Sequence, residues 1–327
     1  MAKSKKSGKK PKTAKPSVKE EKLPKETEKV EKKDEKEVKA EKVEKTEKVV
    51  KTEKSEKPAQ IPAQSAKKNT FCGKFWAKKY EENESILTIF KDHKIYGNIL
   101  GEVFGTMFIA LIIFTLGLSQ PLYMFFILLG VVIAVYKLSG AQLNPINTVG
   151  MMVTRRMSAI RGVLYLLAQV VGAWLGYVIV KAFISTSAGV TGTESEFPSM
   201  AVIQEGYYWV VAFLEFLGAA IVGFFYARAQ QYKKSVVAFA TVVAGGMTIA
   251  VVVVYLLSYA YFGLSGNFML NPAISLMYGI MPSAADGVME LLGGIAQALF
   301  CYVLFPVIGG VIGFWLSDTS NILAEEK

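Results

Sequence analysis

Enzymatic chemistry usually needs groups that are scarce in this chain. Its 327 residues include two cysteines and one histidine. Cys72 and Cys301 lie far apart, which gives no disulfide framework and no metal-ligand spacing. His93 has no cluster around it. No Gly-rich nucleotide loop and no nucleophile–base arrangement stands out. We therefore expect no enzyme, no cofactor, no metal and no nucleic-acid partner.

A second absence divides the chain. Hydrophobic residues make up 52% and the net charge is +10, but these properties sit in different places. Residues 1–60 hold no Phe, Trp or Tyr, and carry 21 Lys against 13 Asp or Glu. Glu-Lys steps recur, as in Glu41-Lys42-Val43-Glu44-Lys45. Such a segment buries too little apolar surface to offset its ordering entropy. A disordered tail is predicted over 1–70, with any Glu/Lys helix marginal without a partner. Attraction to anionic membrane lipid is one reading of its basic charge. Interleaved acids weaken that field and favour a solvated tail with no specific partner. Residues 71–95 mix Phe71, Phe75, Trp76 and Tyr80 with lysines and read as an interfacial linker, with a partly ordered linker as the equal alternative. No apolar stretch follows the basic start, so the first span is expected to serve as insertion signal.

The rest of the chain is rich in long apolar segments. Six are near the length a crossing needs, about 20 residues. They run from about Tyr96 to Leu118, Leu122 to Tyr136, Val163 to Ile184, Gly206 to Ala229, Val236 to Phe262 and Met289 to Leu316. A short polar C-terminus follows, from 317 or 319 to 327. The connectors at 117–121, 185–204 and 279–288 have no Lys or Arg. Lys137, Arg155, Arg156 and Arg161, then Arg228, Lys233 and Lys234, mark the opposite side. By the positive-inside rule both termini are cytoplasmic.

Two polar stretches interrupt the apolar pattern. One is Ser139-Gly140-Ala141-Gln142-Leu143-Asn144-Pro145-Ile146, and the other is Ser265-Gly266-Asn267-Phe268-Met269-Leu270-Asn271-Pro272-Ala273. Asn before Pro is a helix-start signature. Each is followed by a mostly apolar run, Ile146 to Val153 and Ala273 to Met281. Half of a roughly 30 Å layer at about 1.5 Å per residue needs about ten residues. The expected picture is two half-helices starting near the membrane centre and entering from opposite sides. Gly101-Glu102-Val103-Phe104-Gly105 resembles Leu214-Glu215-Phe216-Leu217-Gly218, which suggests an inverted repeat. Gly101 and Gly105, Gly172 and Gly176, and Gly309 and Gly313 have helix-packing spacing.

These paired Asn-Pro loops resemble the aquaporin or major intrinsic protein family, over roughly residues 96–318. The resemblance implies an all-α membrane protein with six transmembrane helices and two re-entrant half-helices. It implies passive transport of water, with glycerol and other small neutral solutes as further candidates. It implies a homotetramer in a plasma or vacuolar membrane. The loop motifs are then Asn144, Pro145 and Ile146, and Asn271, Pro272 and Ala273. Glu102 and Glu215 would accept hydrogen bonds from the loops, with proton relay as the alternative role, and Gln169 could steady a loop in the same way. Loop carbonyls at Gly140 to Leu143 and Asn267 to Leu270 would offer acceptors to the permeant. The constriction falls on Met124, Ser258 (or Tyr259), Phe268 and Ile274. Two departures stand out. Ile146 replaces Ala in the first motif, and Ile274 replaces the usual Arg. Two other classes stay open: an ion-coupled secondary transporter, and a non-conducting membrane scaffold whose working part is the tail.

Overall fold

Helix-terminating residues divide the apolar chain. The computed structural model describes residues 85–116, 120–191, 206–263, 268–280, 293, 295–297 and 299–325. The tail at 1–70, most of the linker at 71–95, most of the 185–204 and 279–288 connectors and Ser265 to Asn267 lie outside the described residues. The helices are α1 (Ile86–Ile89), α2 (Lys94–Leu116), α3 (Pro121–Ser139), α4 (Pro145–Val153), α5 (Ala159–Thr191), α6 (Tyr208–Ala229), α7 (Val236–Phe262), α8 (Pro272–Ile280) and α9 (Phe305–Glu325). A π-helical turn, Phe300–Leu304, leads into α9. Pro121 opens α3, where the missing N–H has no partner to lose. Gly140 ends α3 at φ 82° and Gly263 ends α7 at φ 64°, a region that favours glycine. Among the described residues, six segments are long and apolar enough to cross a membrane. Large side chains such as Leu122, Phe126, Trp209, Phe213 and Leu256 are exposed on them. Helices apolar all round, with apolar outer faces, belong in lipid. The chain is an integral membrane protein.

Two helix ends differ from the sequence expectation. The third span was expected to end near Ile184, but α5 continues to Thr191. Inside the helix the Thr186 hydroxyl is satisfied by donating to the Ala182 carbonyl at 2.9 Å. The C-terminus was expected as a short polar tail from 317, but α9 runs through Glu325. Its polar residues are tied to the bundle. Asp318 pairs with Arg156, and Asn321 accepts from Arg228 and, at 2.8 Å, from Gln231. Arg156 also lies over the Phe314 ring, 5.4 Å from its centroid.

The fold is built twice. A Cβ on Gly172 would meet the Val103 carbonyl, and one on Gly309 the Phe216 carbonyl. Val103 and Phe216 follow the two intramembrane glutamates. One turn later, Gly176 lies against Ala110 and the Met107 carbonyl, and Gly313 against the Ala220 carbonyl. The α2–α5 and α6–α9 pairs thus use the same close backbone approach, which only small residues allow. Gly105 and Gly218 do a related job. Each leaves room for the side chain of a loop leucine, Leu143 or Leu270. The α2–α5 alignment places Pro306 where α5 has Gln169. Proline lacks an N–H, and the π-helical turn just before it is a usual way to absorb that loss.

Candidate pore between the two Asn-Pro loops

Each loop is shaped by a buried carboxylate. Glu102 in α2 accepts from the backbone N–H of Gln142 (2.9 Å) and Leu143 (2.7 Å). Glu215 in α6 accepts from the N–H groups of Met269 and Leu270, the latter at 3.1 Å. Both glutamates are fully buried. Leu143 and Leu270 both have positive φ, 56° and 50°, an uncommon conformation for a leucine. The glutamates fix it by holding the loop N–H groups, and it turns each chain sharply into an Asn cap.

The two caps match. Asn144 Oδ1 accepts from Ile146 N at 3.0 Å, and Asn271 Oδ1 accepts from Ala273 N at 3.2 Å. A cap of this kind is worth about 1 kcal/mol. Each Asn amide then reaches the opposite loop. Asn144 Nδ2 donates to the Leu270 carbonyl at 2.8 Å, and Asn271 Nδ2 donates to the Leu143 carbonyl at 3.2 Å. The N-termini of α4 and α8 meet through this reciprocal pair. One N–H on each amide is committed to it.

A cavity of about 30 Å³ adjoins the pair. Its apolar wall is Ile109, Met124, Leu128, Val132, Ala141, Leu143, Val222, Val243 and Met247. Its polar lining is Gln142, Asn144, Asn147, Tyr226 and Asn271. A wider cavity of about 390 Å³ also contacts Gln142 and Tyr226, and is lined by Lys137, Arg156, Arg161 and Lys233 among others.

The sequence-derived residues take different places. Asn144 and Asn271 stand at the centre, and Met124 lines the cavity. Ser258, Phe268 and Ile274 are buried outside its wall. Tyr259, the alternative to Ser258, is exposed and stacks on Tyr255. Ile146 packs away from the cavity, against Gly310 of α9. The larger side chain at this motif position is housed by a glycine on the facing helix. Gln169 Nε2 donates to Glu102 (2.7 Å) and to Thr148 Oγ1 (2.8 Å). The loop carbonyls are less open than expected. Gly140 accepts from the Tyr226 hydroxyl at 3.0 Å, Gln142 from Asn147 Nδ2 at 2.9 Å, and Leu143 from Asn271. A carbonyl has two lone pairs, so these can still take a second donor.

Sequence reasoning passed over Tyr165, Tyr226, the Gln142 side chain and Asn147. The Tyr165 hydroxyl donates to the Ser139 carbonyl at 3.0 Å. Asn147 lay inside a run read as mostly apolar. It could have been found by comparing the third residue after each cap: Asn147 in one motif, Ile274 in the other.

Residues 89–317 match the family described as Major intrinsic protein. The chain belongs to that family. A relative in Lactiplantibacillus plantarum, glycerol uptake facilitator protein-like 6, is 28% identical over 178 residues, covering 54% of this chain and 72% of that protein. Aquaporin C of Dictyostelium discoideum is 31% identical over 118 residues, 32% of this chain and 41% of its own length. The solved aquaglyceroporin from Plasmodium falciparum superposes with a TM-score of 0.52 at 19% identity, over 71% of this chain and all of its own. That last likeness is one of fold. Six spans with two half-helices are the aquaporin fold.

Proposed function

We propose that this family member is a passive channel for water and at least one small neutral solute such as glycerol. The observation that carries the reading is the reciprocal Asn144–Leu270 and Asn271–Leu143 bonding beside an amide-lined cavity. Irregular backbone at membrane depth is stable only where it is buried in protein or lines a cavity. Two half-helix N-termini, each equivalent to roughly +0.5 charge, disfavour cations there. Met124, Ser258, Phe268 and Ile274 form the outer constriction in this reading. It is apolar and uncharged, which suits solutes with a carbon edge. The names of the bacterial and amoebal relatives agree with glycerol and water as permeants.

An ion-coupled transporter needs a carboxylate free to take and release an ion. Glu102 and Glu215 are each occupied by two loop N–H groups, which favours the channel. Loop charge supports cytoplasmic termini. The family resemblance supports a homotetramer surrounded by lipid, in the plasma or a vacuolar membrane. Stopped-flow light scattering on vesicles carrying the full chain tests the proposal. Osmotic shrinkage and glycerol entry should both exceed those of protein-free vesicles, with no ion gradient. Vesicles that behave like empty ones would leave the scaffold reading.

A further inference from the structure

The two half-helices differ in chemistry at the third position after the cap. Counting the caps Asn144 and Asn271 as the start, the third helical residue is Asn147 in α4 and Ile274 in α8. Ile274 is fully buried outside the cavity wall. Asn147 lines the cavity, and so does Gln142 from the preceding loop. Both side chains are more than nine-tenths buried, at 4% and 3% exposure. Asn147 Nδ2 is fixed on the Gln142 carbonyl at 2.9 Å, so the amide cannot turn over without placing oxygen against oxygen. Asn147 Oδ1 and Gln142 Oε1 have no hydrogen-bond partner among the described residues. A buried acceptor without a partner is costly, and buried polar groups are otherwise almost always paired. Both residues line one cavity. About 30 Å³ exceeds the roughly 10–15 Å³ that one water needs.

We propose that Gln142 Oε1 and Asn147 Oδ1 form an acceptor site for the permeant, on the first-loop side of the Asn pair. Its ligands are water and small neutral solutes that present O–H or N–H donors, such as polyols and urea. The site rests on the channel reading and adds residues the motifs do not name. The central asparagines offer donors, and this pair offers acceptors. A permeant crossing the centre can therefore exchange its hydration in both senses. A solute with several donors gains more from two acceptors than one water does, so the site bears on the solute range.

Gln142→Met tests it with little disturbance. That variant keeps the backbone N–H on Glu102 and the carbonyl that holds Asn147, and removes the acceptor oxygen. Asn147→Leu is the second variant. Water, glycerol and urea permeabilities are measured in vesicles carrying the full chain, with protein incorporation quantified. The expected result is a fall of about tenfold in the glycerol-to-water and urea-to-water ratios, the factor for about 1.4 kcal/mol. Unchanged ratios in Gln142→Met with water flux retained would overturn the site. If the native protein passes neither water nor glycerol, the channel reading is what fails. An experimental structure of the native chain in glycerol then decides the site alone. An ordered oxygen within about 3.2 Å of both acceptors upholds it. An empty gap there overturns it.

Discussion

From Leu143 and Leu270 to their caps the two loops share a backbone conformation, and their surroundings differ. Each has a glutamate on its N–H groups, a leucine at positive φ, an Asn cap and an amide crossing to the other loop. Around the first loop, Gln169 joins Glu102 to Thr148, Tyr165 holds Ser139, Tyr226 holds Gly140, and Asn147 holds Gln142. Around the second, Pro306 stands in the place of Gln169, and Ile274 in that of Asn147. The repeat preserves what the backbone needs to turn inside a membrane. The neighbouring side chains differ, and among the described residues the first loop has more polar partners.

The largest effect should come from the glutamates. Glu102→Leu leaves Gln142 N and Leu143 N without a partner and removes one of Gln169's two acceptors. Glu215→Leu leaves Met269 N and Leu270 N. Each orphaned group costs about 1–3 kcal/mol. Both variants should lose thermal stability in detergent, Glu102→Leu by more. Equal losses would mean that Gln169 adds nothing to the first loop.

Glycines come next. Gly309→Ala and Gly172→Ala place a methyl against a backbone carbonyl of the facing helix. Overpacking of this kind costs about 1–3 kcal/mol, and the two should match if the repeat governs packing. Gly97→Ala and Gly130→Ala meet nothing within 4 Å. They should be neutral or stabilise by up to about 1 kcal/mol through helix propensity. Melting curves of the four variants make the comparison, and a stable Gly309→Ala protein would argue against close α6–α9 contact.

Asn144→Leu and Asn271→Leu each remove a cap, worth about 1 kcal/mol, and one crossing bond. Water flux per inserted protein should fall strongly in both, and to a similar extent, because the bonds are reciprocal. Native flux from either variant at normal membrane levels would count against a pore centred on the pair.

A change in selectivity, read on correctly inserted protein, is expected from exchanging the two halves' chemistry. Ile274→Arg brings a charged, bulky group with fixed donors to the second half. If Ile274 belongs to the outer constriction, the glycerol-to-water ratio should drop about tenfold, equivalent to about 1.4 kcal/mol in barrier. An unchanged ratio with correct insertion would remove Ile274 from the filter.

Local chemistry wrote much of this into the sequence. Six apolar runs, two Asn-Pro helix starts and a glutamate in each half can be read from neighbours along the chain, since hydropathy and capping act over a few residues. The ends of α5 and α9 could not be read in that way. Polar residues stay within the helix there, where Thr186 bonds a carbonyl one turn back and Asp318 pairs with Arg156 across the bundle. Nor could the housing of Ile146, which depends on Gly310 arriving opposite it. The polarity of Asn147 is visible in the sequence, but its unpaired oxygen and its place in a cavity wall are not. The crossing of the two asparagines joins residues 126 and 128 positions apart. Tertiary structure alone decided it, because a buried amide takes whichever carbonyl the packed helices bring within reach.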